Sequence, residues 1–121
     1  MQYLLLIYTQ EADWAKLTPA QQGALSQEYG QFTTDIVEKG KFVGGNQLKP
    51  IAAATTVRVR DGKRVTTDGP FAETKEQLGG YYLIEANDLD EAIAIASRIP
   101  GARHGSIEVR PIVVREQAAR P

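Results

Sequence analysis

Two stretches of this chain are apolar where a half-exposed strand would alternate. Tyr3-Leu4-Leu5-Leu6-Ile7-Tyr8 is six apolar residues in a row, and Tyr81-Tyr82-Leu83-Ile84 is a second such run. A strand with one wet face alternates apolar and polar residues, whereas a continuous run means that both faces are covered. Both runs are far too short to cross a membrane as helices. They therefore belong in the middle of a sheet that needs a layer on each side.

The rest of the chain supplies helices and further strands around that centre. Gln2 to Thr9 reads as the first strand. Thr18-Pro19-Ala20-Gln21 starts a helix, with Thr18 as cap, Pro19 at the first helical position and Gln21 closing a capping box. Leu25, Tyr29, Phe32 and Ile36 form one apolar stripe, and Gly40 stops the helix after Lys39. Phe42 to Leu48 is a weaker strand, with a bulge or a close backbone approach expected at Gly44-Gly45. Thr55 to Arg60 and Lys63 to Thr67 form a hairpin around Asp61-Gly62, where both turn positions favour positive φ. Asp68 to Gln77 reads as an exposed ordered loop. Gly79-Gly80 opens the strand Tyr81 to Ala86. Asp88 then caps a helix whose buried face is Leu89, Ala92, Ile93, Ala96 and Ile99. Pro100-Gly101 ends it, and Ser106 to Val114 is the last strand.

The resulting order, β-α-β, hairpin, β-α-β, predicts an α+β fold of the ferredoxin-like split βαβ type with an inserted β-hairpin. One domain is expected over residues 1–114, followed by a polar C-terminal tail over 115–121. Helices in such a fold cover one sheet face. The expected cover for the other is a second copy of the sheet, giving a homodimer.

Composition removes several function classes. Fourteen Lys and Arg against 15 Asp and Glu give a net charge of −1, which argues against a general electrostatic grip on nucleic acid. The absence of cysteine excludes thiol catalysis, disulfide frameworks and thiolate metal sites. One histidine and scattered carboxylates give no metal-ligand spacing, so neither metal nor cofactor is expected. No basic segment precedes the first apolar run, so no signal peptide, no membrane partner and a cytoplasmic location are expected.

Asp68-Gly69-Pro70-Phe71-Ala72-Glu73-Thr74-Lys75-Glu76 is the most distinctive string in the chain. It closely resembles the signature of YCII-related proteins of the DGPF type. Tyr3 to Tyr8, Gly79 to Ile84 and Ser106 to Pro111 resemble that family's flanking blocks, so the likeness runs from Met1 to Ile112. The resemblance implies a dimeric α/β barrel of ferredoxin-like units. It also implies a regulatory setting with a possible protein partner, because DGPF-type proteins are often encoded beside extracytoplasmic-function sigma factors. In the wider YCII-related group it implies activity through a His–Asp pair in a cleft. The sole histidine here is His104, near the end of the chain, so that pair does not carry over residue by residue.

The candidate residues each have a structural and a functional reading. Asp68 either ties the Asp-Gly-Pro turn or stands at the rim of a pocket. Phe71 is expected to anchor the loop in the core, or else to wall a pocket. Glu73, Lys75 and Glu76 are either a solvated loop face or a source of a carboxylate with a tuned pKa. His104 is either an exposed loop residue or a proton shuttle. Arg58, Arg60 and Arg110 are either salt-bridged on an exposed sheet face or clamps for an anion. The catalytic candidates are thus Asp68, Glu73 and His104. The ligand-binding candidates are Arg58, Phe71, Lys75, Tyr81 and Arg110. Three functions follow. The first is a homodimeric module that binds or senses an unknown small molecule in a cleft lined by the signature loop. The second is a cofactor-free enzyme using the same cleft, and the third is a protein-interaction dimer.

Overall fold

A computed structural model describes residues 1–115. Six strands and three helices follow in the order β1 (Gln2–Thr9), α1 (Glu11–Ala15), α2 (Pro19–Glu38), β2 (Phe42–Gln47), β3 (Thr55–Arg60), β4 (Lys63–Asp68), β5 (Gln77–Glu85), α3 (Leu89–Ser97) and β6 (Ser106–Pro111). Four of the strands form one sheet in the order β2-β5-β1-β6, and β3 and β4 form a separate two-stranded sheet. All pairings are antiparallel, so β1 runs parallel to β2 and β5 parallel to β6, each pair separated by one strand. This interleaving of two βαβ units is the ferredoxin-like α+β arrangement. The two continuous apolar runs lie on β1 and β5, the inner strands.

Local chemistry sets the element boundaries. Thr18 accepts from the Gln21 backbone N–H at 3.1 Å, and Gln21 Oε1 accepts from the Thr18 N–H at 2.9 Å, completing the capping box. Asp61 and Gly62 both have positive φ, 52° and 73°, which a tight hairpin turn of this hand requires. The pairing of β2 with β5 shifts between Phe42 and Gly44. A Cβ at Gly45 would lie 2.8 Å from the Tyr81 carbonyl oxygen, so the close strand approach requires glycine there.

Both long helices cover the same sheet face. Tyr3, Leu5 and Ile7 of β1 and Ile84 of β5 pack with Phe32 and Ile36 of α2 and with Ala92, Ile95 and Ala96 of α3. Leu5, Ile36, Ile84 and Ile99 are essentially inaccessible. Phe32 and Tyr82 meet edge-on with ring centroids 5.1 Å apart, and the Tyr82 hydroxyl lies 2.8 Å from Thr33 Oγ1.

Three expectations change. The buried face of α3 keeps the expected Ala92, Ala96 and Ile99, but Leu89 and Ile93 are about half exposed and Ile95 is buried instead. The helix carries apolar residues on neighbouring stripes; the one containing Ile95 joins the central core, while Ile93 lines a surface groove with Ile107 and Val109 of β6. β6 ends at Pro111 rather than Val114, because β1 begins at Gln2 and offers no partner beyond it. Short turns at Glu11–Ala15 and Ile51–Ala53 carry no strong periodicity and were not expected. The expected tail, apart from Arg115, lies outside the described residues. No helix among the described residues is long and apolar enough to cross a membrane.

Candidate functional site

The helix-free face of the sheet follows from strand register, since directly paired residues share a face. Leu4 pairs with Leu83 and Arg110, Leu6 with Tyr81 and Glu108, and Tyr8 with Ser106. Asn46 of β2 pairs with Tyr81. This face therefore has an apolar centre of Leu4, Leu6 and Leu83, with tyrosines toward one end. Each of these side chains is only half-buried, shielded by its neighbours alone. One chain thus covers one face of the doubly apolar strands and leaves the other open.

The charges on this face are internally balanced. Arg110 pairs with Glu108 two positions away on the same strand, and the Met1 ammonium lies 3.1 Å from Glu85. Asn46 Nδ2 donates to the Tyr81 hydroxyl at 2.9 Å. Of the expected ligand-binding residues, Tyr81 and Arg110 therefore share this face.

At the Tyr8 end, Glu76 gathers with polar residues that the sequence does not single out, Ser106, Glu11 and Gln77. Ser106 Oγ donates to Glu76 Oε1 at 2.9 Å. The Glu11 N–H donates to Gln77 Oε1 at 3.0 Å, and Glu11 Oε2 accepts from the Ile51 N–H at 2.9 Å. Gln77 Nε2 donates to the Thr74 carbonyl at 2.8 Å, tying the end of the loop to β5. Gly105 allows this assembly. A Cβ there would sit 2.0 Å from the Tyr8 carbonyl oxygen, so the approach of β6 to β1 needs a residue without a side chain. The signals in the sequence were the last acid before β5 and a glycine directly before β6, both easily read as loop chemistry.

The remaining candidates are placed elsewhere. Asp68 ends β4 and is exposed; the turn after it is tied through Gly69, whose N–H donates to the Ala54 carbonyl at 2.7 Å. Gly69 has φ 96°, and its carbonyl accepts from Thr56 Oγ1 at 2.8 Å. Phe71 is 80% exposed, so the core-anchor role expected from its residue type does not hold. The loop is held instead by backbone and Gln77 hydrogen bonds, which leave the ring outside. Glu73 and Lys75 are exposed and, among the described residues, form no ion pair. His104 follows a short 3-10 turn at Pro100–Arg103, with its N–H donating to the Gly101 carbonyl at 3.1 Å. Its side chain is exposed and pairs with no acid among the described residues. Arg58 lies opposite Val65 in the hairpin, away from the sheet.

The groups with clearly displaced pKa values lie in the structural layer. Burial raises the Tyr29 phenol, partly offset by its hydrogen bond with the Gly101 backbone. The Asn87 backbone N–H, followed by Lys41, lowers Glu91 below its ordinary 4.5. Glu91 Oε1 accepts from Asn87 at 2.7 Å and from Lys41 Nζ at 3.0 Å.

Comparison with known proteins gives a consistent picture. The model of the YCII-related domain matches residues 1–116. An uncharacterised protein of Rhizobium meliloti (strain 1021) is 36% identical over 123 residues, covering 100% of this chain and 99% of that protein.

Proposed function

We propose that this chain, which belongs to the YCII-related family, is a homodimeric module that binds a small molecule between two apposed sheets. The observation that carries this reading is the helix-free face of β1 and β5. Its centre is apolar, its charges are paired within the chain, and hydrogen-bonding groups collect at its Tyr8 end. An apolar face with balanced charge can meet its own copy across a two-fold axis without electrostatic penalty. Two such faces closed on each other form a barrel-like interior with polar groups near its mouth. That is the composition of a small-molecule site: mostly apolar walls and a few placed polar groups. The loop Asp68–Glu76 reaches this mouth through Glu76, which accepts from Ser106, and Glu73 and Asp68 sit farther out along the loop. Binding requires no proton shuttle, so the exposed, unpaired position of His104 fits it better than catalysis.

A thermal-shift screen against small metabolites tests this reading, comparing wild type with Glu76→Gln, Glu73→Ala and Asp68→Ala. A ligand at one hundred times its dissociation constant stabilises by about 2.7 kcal/mol. The expected result is a ligand that stabilises wild type and loses most of that effect in Glu76→Gln. If no metabolite shifts wild type, or if Glu76→Gln responds like wild type to a ligand that does, the proposed site is wrong.

A further inference from the structure

Two carboxylates stand at the Tyr8 end of the open sheet, and the chain gives neither a positive partner. Glu11 is met by the backbone, with its Oε2 accepting from the Ile51 N–H at 2.9 Å. Glu76 is half-buried, and among the described residues its carboxylate accepts only from the Ser106 hydroxyl, at 2.9 Å. Neither acid is in an ion pair among the described residues. Lys49 and Lys75, the bases on the neighbouring loops, are exposed and pair with neither. Elsewhere on the face the charges are matched, Arg110 with Glu108 and Glu85 with the Met1 ammonium. Closing the sheet against a second copy takes Glu76 further from water. A carboxylate losing solvent needs a counter-charge, and one neutral hydroxyl does not replace its hydration.

The neighbours of Glu76 follow from register. Ser106 pairs with Tyr8, so the Glu76 contact lies beside the Tyr8 ring on the open face. Leu6 shares that face and pairs with Tyr81, whose hydroxyl accepts from Asn46 Nδ2 at 2.9 Å. Leu4 and Leu83 continue it. The order along the face is therefore a carboxylate, two phenol rings and an aliphatic floor. A ring face attracts a cation within about 6 Å of its centroid.

We infer that the small molecule taken by this site is an organic cation, an ammonium group on an apolar body. Its ammonium donates to Glu76 beside Tyr8 and Tyr81, and its body lies on Leu6 and Leu83. This rests on the small-molecule reading above and adds the chemical class. The same inventory disfavours an anion. Arg110, the base on this face suited to grip a carboxylate, already holds Glu108.

The test uses probes that share a body and differ in charge: phenethylamine, phenethyl alcohol and phenylacetate, and hexylamine, hexanol and hexanoate. Calorimetric titration into the intact protein at neutral pH should show each amine binding at least roughly tenfold tighter than its alcohol and its acid. Glu76→Gln keeps an oxygen for the Ser106 hydroxyl, so its circular dichroism and chain association should match wild type while the preference disappears. Glu38→Gln removes the same charge from the exposed end of α2 and should keep the preference. If an amine binds no tighter than its acid or alcohol, or if the preference survives in Glu76→Gln, the cation inference is overturned and small-molecule binding stands. If none of these probes and no metabolite of the thermal-shift screen binds wild type, the small-molecule reading falls and this inference with it.

Discussion

Gly105→Ala probes the contact that assembles the polar end of the open sheet. The added Cβ would lie 2.0 Å from the Tyr8 carbonyl oxygen, 3.0 Å from Thr9 Cγ2 and 3.1 Å from Thr9 Cα. Two of those three atoms are backbone, so no rotamer change relieves the clash; the end of β1 or the entry to β6 must move. Overpacking that shifts backbone costs about 1–3 kcal/mol, and a contact this short belongs at the upper end, about 3 kcal/mol. For a domain of this size, with an unfolding entropy of about 2.1 cal/mol/K per residue, that is a fall in Tm of about 12 °C. Gly23→Ala is the matched control. Gly23 lies within α2 with nothing within 4 Å of the added Cβ, so there the same change should stabilise by about 1 kcal/mol. Urea denaturation followed by circular dichroism reads both. If Gly105→Ala unfolds at the wild-type midpoint, the close approach of β6 to Tyr8 is not a feature of the fold, and the Glu76–Ser106 contact loses its geometric basis.

Other consequences are simpler. Thr18→Ala removes the side-chain acceptor of the Gln21 N–H and should cost about 1 kcal/mol in the same denaturation assay, with Thr18→Ser close to wild type. Glu91 has a folded-state pKa below its unfolded value, so its stabilising contribution is fully present above that unfolded value and is lost as pH falls through the folded one. Stability measured on acidification should therefore fall less steeply in Glu91→Gln than in wild type; an unchanged slope would remove the Asn87 and Lys41 contacts from the explanation. Tyr82→Phe keeps the edge-on packing with Phe32 and loses the hydroxyl contact to Thr33, for a cost of about 1 kcal/mol in the urea midpoint.

Much of the fold could be read from residues whose chemistry is local. The Thr18–Gln21 box, the Asp61-Gly62 turn and the Gly44-Gly45 irregularity each act within a few residues, and each lies where the sequence indicates. The continuous apolar runs mark β1 and β5, which are the inner strands of the sheet, with one face buried beneath the helices and the other half-buried. The face of α3 is as expected at Ala92, Ala96 and Ile99 and differs at Leu89 and Ile93, because Ile93 and Ile95 are equally apolar and the choice between them is made by contacts distant in sequence. The site suffered in the same way. Glu76 meets Ser106 across 30 residues, and Gly105 is required by a carbonyl on β1, so neither could be told from an ordinary loop residue. Phe71 was assigned to the core by residue type, yet its loop is fixed by Gln77 and Gly69 and leaves it in solvent.

Sedimentation equilibrium of wild type and Leu6→Asp tests most directly whether the open sheet face is built to meet its own copy. Leu6 lies at the apolar centre of that face, opposite Tyr81 and Glu108, and takes no part in the core beneath the helices. Wild type should sediment at twice the chain mass of 13.3 kDa at micromolar concentration. Leu6→Asp should sediment at the single-chain mass with its circular dichroism intact. A wild type that stays at the single-chain mass, or a Leu6→Asp dimer as tight as wild type, would contradict it.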